Sequence, residues 1–235
     1  MQKIMFEHRR FGLEQAVIAG TKTMTRRIIP DIEIDWNRRG RVTLPISGFE
    51  HGVLFMDVRS ILHDAGTCDY SAPAKYQPKY EVGERVAVAQ AYKNDEVLSY
   101  NAIKEDGTAR EDGFQRHKEM LGSNGYRNKL FVRADLMPHV IEITDIKAER
   151  LQDISDEDCL REGVYKDEEN GRIIGYPIGV PFFYTFTGAV SKKTGKQLYW
   201  TTPKEAFSEL IDLLNGRGTW ERNPWVYAYT FELIK

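Results

Sequence analysis

The chain has 235 residues, a mass of 27.1 kDa and a net charge of −2, with 29% charged and 41% hydrophobic residues. That balance describes a soluble globular domain large enough to bury a core, and it excludes a strongly basic nucleic-acid coat and an acidic disordered tail. No apolar run approaches the ~18 residues of a membrane span, and residues 1–10 lack the apolar core of a signal peptide, so a cytoplasmic protein without a membrane partner is expected.

Residues 11–20 read as a short helix, with Leu13, Ala16 and Val17 on one side and Gly20 placed to end it. Lys22 then follows a helix C-terminus. Residues 85–92 alternate Val86, Val88 and Gln90 against Ala87, Ala89 and Ala91 after a turn-like Glu81-Val82-Gly83-Glu84, which predicts a strand. Residues 130–136 and 139–150 read as two further strands or one bent one. Ile141 and Ile143 are in phase and Ile146 and Ala148 out of it, as a bulge near Asp145 would cause.

Ser155-Asp156-Glu157-Asp158 resembles a capping box with Asp in place of the usual Glu, and it opens a short acidic helix running to Gly163. A longer helix starts at Thr202, with Pro203 at its first position, Glu205 closing the box, an apolar stripe of Ala206, Phe207, Leu210, Ile211 and Leu214, and Gly216 as its stop. Trp220 is expected to pack on that helix. The chain finishes on a strand in which Trp225, Tyr227, Tyr229, Phe231 and Leu233 alternate with smaller or polar residues, an aromatic face suited to a core.

Between these pieces, 30–80, 93–129 and 164–201 are polar, Gly-containing or weakly periodic, and read as insertions around the core of a single domain. Net neutrality hides a dipolar sequence: residues 1–41 hold nine Lys/Arg against five Asp/Glu, and residues 142–169 hold four against eleven. Such a split suits either a basic ligand-facing strip beside an acidic helix or two solvated faces. Cys68 and Cys159 are expected to be free thiols. His51, His63, Cys68 and Asp69 lack the paired close spacing of a zinc site, so no metal is expected. The chain carries no phosphate-binding glycine loop, no GxSxG and no dinucleotide fingerprint, and no cofactor is expected.

The stretch Ala19-Gly20-Thr21-Lys22-Thr23-Met24-Thr25-Arg26-Arg27-Ile28-Ile29 concentrates hydroxyls and cations directly after a helix stop. Taken in order with Lys79-Tyr80-Glu81-Val82-Gly83-Glu84-Arg85-Val86, Glu149-Arg150-Leu151-Gln152-Asp153-Ile154-Ser155, Glu162-Gly163 and Asn223-Pro224-Trp225-Val226, it resembles the ASCH domain family of the PUA-like superfamily, in its long bacterial and phage form. The resemblance covers about half of the chain. It implies an α+β fold that is mainly β, a closed or nearly closed PUA-like β-barrel with short rim helices, and a cleft beside the first helix that binds RNA or a nucleotide.

In the acetylcytidine amidohydrolases of this family, a Lys, a Thr three positions on and a Glu of the later acidic helix cleave an amide. By motif position these fall on Lys22, Thr25 and Glu162 as the implied catalytic residues, and Arg26, Arg27 and Gln90 are expected as ligand-binding residues. A Thr hydroxyl becomes a nucleophile only when a base removes its proton, and a Lys serves as that base once burial or nearby cations lower its pKa. Geometry sets a condition: residues three apart on an extended strand are ~10 Å apart, so Lys22 to Thr25 must curl. Ala89-Gln90 departs from the charged Arg-Glu pair that many long members have in this strand. Arg26 and Arg27 are expected to meet phosphate while Trp36, Tyr92 or Trp200 stacks bases. Three functions stand as expectations: a module binding RNA or a modified nucleoside, an amidohydrolase acting on an acylated nucleoside such as acetylcytidine, and a phage-type accessory protein that binds another protein.

Overall fold

The computed structural model describes residues 1–30, 77–167 and 184–234, together with the backbone of Phe183 and of four short strands between 32 and 56. In chain order the elements are β1 (Gln2–Ile4), α1 (Leu13–Ile18), β2 (Met24–Ile28), β3 (Ile32–Asp35), β4 (Arg41–Leu44), β5 (Ile46–Glu50), β6 (Val53–Met56), β7 (Arg85–Val88), α2 (Asp95–Ala102), α3 (Gly113–Leu121), β8 (Val140–Arg150), α4 (Asp156–Arg161), β9 (Val164–Asp167), β10 (Phe183–Phe186), α5 (Pro203–Asn215), α6 (Thr219–Arg222) and β11 (Trp225–Leu233). The fold is α+β. Its centre is a five-stranded sheet in the order β1-β7-β8-β11-β2, in which β1 and β7 are parallel and the other neighbours antiparallel.

Backbone pairing does not close this sheet into a ring among the described residues: β1 and β2 are its two edges. From β2, the Arg27 guanidinium donates to the carbonyl of Met5, the residue after β1, at 2.7 Å. Three antiparallel hairpins, β3-β4, β5-β6 and β9-β10, stand outside the sheet and occupy parts of the expected insertions.

The alternation of β7 explains how the sheet carries two cores. Val86 and Val88 enter the main core with Ile4, Ile141, Ile143 and Phe231. Ala87 and Ala89 face the other way and pack with Val97, Met120 and Leu136, so their small side chains let the α2-α3 insertion sit close on the sheet. β8 is one long strand, and Thr144 is its extra residue: Thr230 pairs with Asp145 but Phe231 with Ile143. The bulge thus restores the inward phase of both isoleucines.

Residues 130–136 are not a strand. They form two 3-10 turns, Lys129–Phe131 and Ala134–Leu136, the first capped by the Asn128 side chain accepting from the Leu130 amide at 3.0 Å. The apolar residues there do not share a face, since Leu136 is buried while Leu130 and Phe131 are exposed. α5 follows its sequence signals closely, with a complete Thr202–Glu205 capping box, Pro203 in the first turn and Ala206, Phe207, Leu210 and Ile211 buried. The Trp220 ring meets the Phe207 ring edge-on, with centroids 6.2 Å apart.

Candidate functional site

The site begins where α1 stops. Gly20, at φ +72°, takes the left-handed conformation that ends the helix, and the Thr21 and Lys22 amides both donate to the Ala16 carbonyl at 2.9 Å. That reversal turns Lys22 back toward the core before β2 starts. The Thr23 amide donates to the Arg161 carbonyl at 3.0 Å and so ties this turn to the end of α4. Gly163, at φ +110°, makes the approach feasible, because a Cβ there would come within 2.8 Å of Leu13 Cδ2 on α1.

Lys22 is 2% exposed, and its Nζ donates to the Glu162 carbonyl oxygen at 2.6 Å and to Glu162 Oε2 at 2.7 Å. The second Glu162 oxygen, Oε1, lies 3.3 Å from Arg26 Nη1. Arg26 has no exposed side-chain surface: its Nη2 is 2.9 Å from Asp158 Oδ2 and 2.6 Å from Glu149 Oε1. Lys147 reaches the same two acids at 2.9 Å for Glu149 and 3.3 Å for Asp158. β-sheet register explains the reach. Arg26, Ala228 and Lys147 are directly opposite one another across β2, β11 and β8, and the small Ala228 between them leaves room for the guanidinium to extend to Glu149.

Electrostatics follow from this enclosure. Burial lowers the Lys22 pKa below the ordinary lysine value, and the facing Glu162 carboxylate only partly offsets that effect. For Asp158 the burial effect is upward, yet hydrogen bonding and charge from Arg26 and Lys147 outweigh it and hold the carboxyl below its ordinary value. Burial pushes the neighbouring Cys159 thiol up to about 12, so it is protonated and unreactive at neutral pH.

Lys22, Thr25, Arg26, Arg27 and Glu162 line one cavity of about 180 Å³, whose apolar wall includes Phe6 and Leu210. The sequence-derived trio therefore converges. The chain reversal shown lies before Lys22, at Gly20, while the Thr23 carbonyl already accepts from the Phe231 amide alongside β11, and Lys22 and Thr25 share no hydrogen bond among the described residues. Thr25 and Arg26 point to opposite faces of β2, opposite Tyr229 and Ala228 respectively, and meet the same cavity because β2 is an edge strand.

Four expectations need correction. Gln90 is buried but is not part of this cavity's lining; its backbone amide donates to Met137 Sδ, and its side-chain Oε1 has no partner among the described residues. Arg26 is enclosed by carboxylates and presents nothing to a phosphate. Tyr92 is 2% exposed, with its hydroxyl accepting from the Arg133 amide at 2.7 Å, so it offers no face to a base. Trp200 is half-buried and stacks on Phe186, with centroids 5.3 Å apart. Trp36, His51, His63, Cys68 and Asp69 lie outside the described residues. The sequence shows Glu149 only within a motif stretch and Asp158 only as a capping-box residue, both in the acidic excess of 142–169, and it gives no signal for Lys147 or for their meeting with Arg26.

Among the described residues no group of His, Cys, Asp and Glu is placed to hold a metal ion, and no helix is long and apolar enough to cross a membrane. No protein-family model matches the chain, and no curated protein or solved structure shows significant similarity to it.

Proposed function

We propose that the chain is an ASCH-type, PUA-like module whose Lys22 cavity takes one nucleobase of an RNA or nucleotide. In this reading the five-stranded sheet is the barrel, its seam lies between β1 and β2, and Arg27 bridges it. The observation that carries the reading is a buried ion pair at the wall of a small cavity that has both polar and apolar sides. A volume of about 180 Å³ equals roughly six waters at their liquid share of ~30 Å³ each, too small for a drug-sized ligand and suited to a single ring system. A lysine ammonium has three donors, and Glu162 takes two from Lys22, leaving one for a ring carbonyl or nitrogen. The Glu162 carboxylate has lone pairs left for a ring amino group. Arg26 then acts as a positioning residue that fixes Glu162.

Calorimetric titration with the four common nucleosides and their 5′-monophosphates tests this. Binding by at least one base type, weakened about tenfold or more by Glu162→Gln, is expected. Absence of binding by the parent protein, or equal affinity in the variant, would sink the reading.

A second reading, amide hydrolysis, is favoured by one observation: Lys22 has a burial-lowered pKa and borders the same cavity as Thr25. In that reaction Thr25 Oγ1 attacks the acyl carbonyl carbon, Lys22 takes the hydroxyl proton and delivers it to the leaving amine, and water hydrolyses the ester that remains. Lys22→Arg keeps the positive charge and removes the base. Acetylcytidine turnover by the parent, abolished in that variant, supports hydrolysis; equal turnover in both excludes Lys22 as the base.

A further inference from the structure

A larger cavity, of about 580 Å³, lies on the other side of the segment joining β1 to α1. It shares Glu7 with the Lys22 cavity as a common wall residue. Its cations come from three separate parts of the chain: Arg9 from the β1-α1 loop, Lys93 from the end of the β7 extension, and Arg127 from the turn after α3. All three are exposed and none has an ion pair or side-chain hydrogen bond among the described residues.

The acids around the cavity only partly offset these three cations. Glu7 is taken up locally, its carboxylate accepting from the Arg10 amide at 2.7 Å and the Phe11 amide at 2.5 Å. Glu14 is 2% exposed and is matched by Lys129 at 2.8 Å. Lys129 also donates to the Phe6 carbonyl and has no charge to spare for a ligand. The Asn94 and Asn128 side chains cap the turns that follow them, by accepting from Glu96 and Leu130 amides. The result is a concave surface on which three cations without ion pairs face one carboxylate, Glu7, whose oxygens are held by backbone amides, so the lining keeps an excess of positive charge.

We propose that this cavity holds the phosphate of the nucleotide whose base enters the Lys22 cavity, so that the ligand is a phosphorylated nucleotide, free or within an RNA strand, rather than a nucleoside. The inference rests on the base-binding reading for its ligand class. Charge and shape supply it independently: unpaired cations converging from distant sequence positions beside a small polar cavity give one site for an anion and one for a ring. Base and phosphate lie on either side of Glu7, and the α2-α3 insertion contributes two of the three cations.

The test is calorimetric titration of the full chain with the four nucleosides, their 5′-monophosphates and a mixed-sequence single-stranded RNA of five nucleotides, each at several salt concentrations. The parent is compared with Arg9→Gln/Lys93→Gln/Arg127→Gln and with Lys22→Met. The triple variant changes exposed residues only, and circular dichroism checks its folding. Expected are monophosphates or RNA bound at least about tenfold tighter than the matching nucleoside, loss of that advantage in the triple variant, and a log-log salt slope lowered by about 0.7 for each phosphate that is no longer neutralised. RNA bound tighter than any monophosphate identifies the strand as the source of phosphate; equal affinities identify the free nucleotide. Equal affinity for nucleoside and monophosphate, or a triple variant that binds like the parent, overturns the phosphate site and leaves the base cavity standing. Phosphate-dependent binding lost in the triple variant but untouched by Lys22→Met overturns the base reading alone. No binding by the parent overturns both.

Discussion

Around the small cavity, Lys22, Arg26 and Glu162 are buried and satisfy one another, whereas around the large one Arg9, Lys93 and Arg127 are exposed and have no partners among the described residues. Both regions are rich in cations, and the sequence draws no distinction between them. Burial does. A charge removed from water has to be matched inside the protein, so the first group fixes geometry and offers only its leftover donors and acceptors. A solvated charge costs little to leave unmatched, so the second group is free to meet an anion.

Removing the centre of the buried group should have the largest effect. Arg26→Met would leave Glu149, Asp158 and Glu162 with too little positive charge, and a loss of about 3–5 kcal/mol in denaturant unfolding is expected. A loss below about 1 kcal/mol would mean that the acids find other partners and that the network is not what fixes Glu162. Next comes Ala228→Leu, which places a branched side chain in the path of the guanidinium; a loss of about 1–3 kcal/mol is expected from the overpacking. Unchanged stability would show that the small residue at the centre of that row is not required.

The pH response of the same network is narrower. Because the folded-state pKa of Asp158 is held below its ordinary value, this residue contributes stability that is fully present above about pH 3.9, the unfolded value, and is lost as pH falls toward the folded value. Thermal melts from about pH 5 down to about pH 2 should therefore lose less stability in Asp158→Asn than in the parent, although the variant starts lower at neutral pH. Parallel curves would contradict the assignment. The smallest effect on stability belongs to the exposed group: Arg127→Gln should stay within about 0.5 kcal/mol of the parent, while nucleotide monophosphate affinity falls. A melting point lowered along with the affinity would break the contrast between the two cavities.

The comparison also marks what the sequence can disclose. Local signals are legible where one short stretch determines the outcome: Gly20 ends α1, Thr202 and Glu205 form the box that opens α5, and the phase change in β8 falls at Thr144 beside Asp145. Lys22, Thr25 and Glu162 are legible as a group through their motif positions, and they line one cavity. Arg26 reads as a phosphate contact in sequence because its partners, Glu149 and Asp158, lie on β8 and α4 far along the chain, and only the β2-β11-β8 register brings them to it. Residues 130–136 imitate a strand because hydrophobicity in two 3-10 turns looks like a buried run. Tyr92 reads as exposed because it borders an insertion, but that insertion has its own core and encloses the ring. Nothing local marks Arg9, Lys93 and Arg127 as neighbours.

A crystal structure of the protein grown with the five-nucleotide RNA tests the central claim most directly. The account predicts one base inside the Lys22 cavity, within hydrogen-bonding distance of Lys22 Nζ or the Glu162 carboxylate, and an adjoining phosphate among Arg9, Lys93 and Arg127. RNA bound with both cavities vacant, or with its bases stacked elsewhere on the surface, would contradict it.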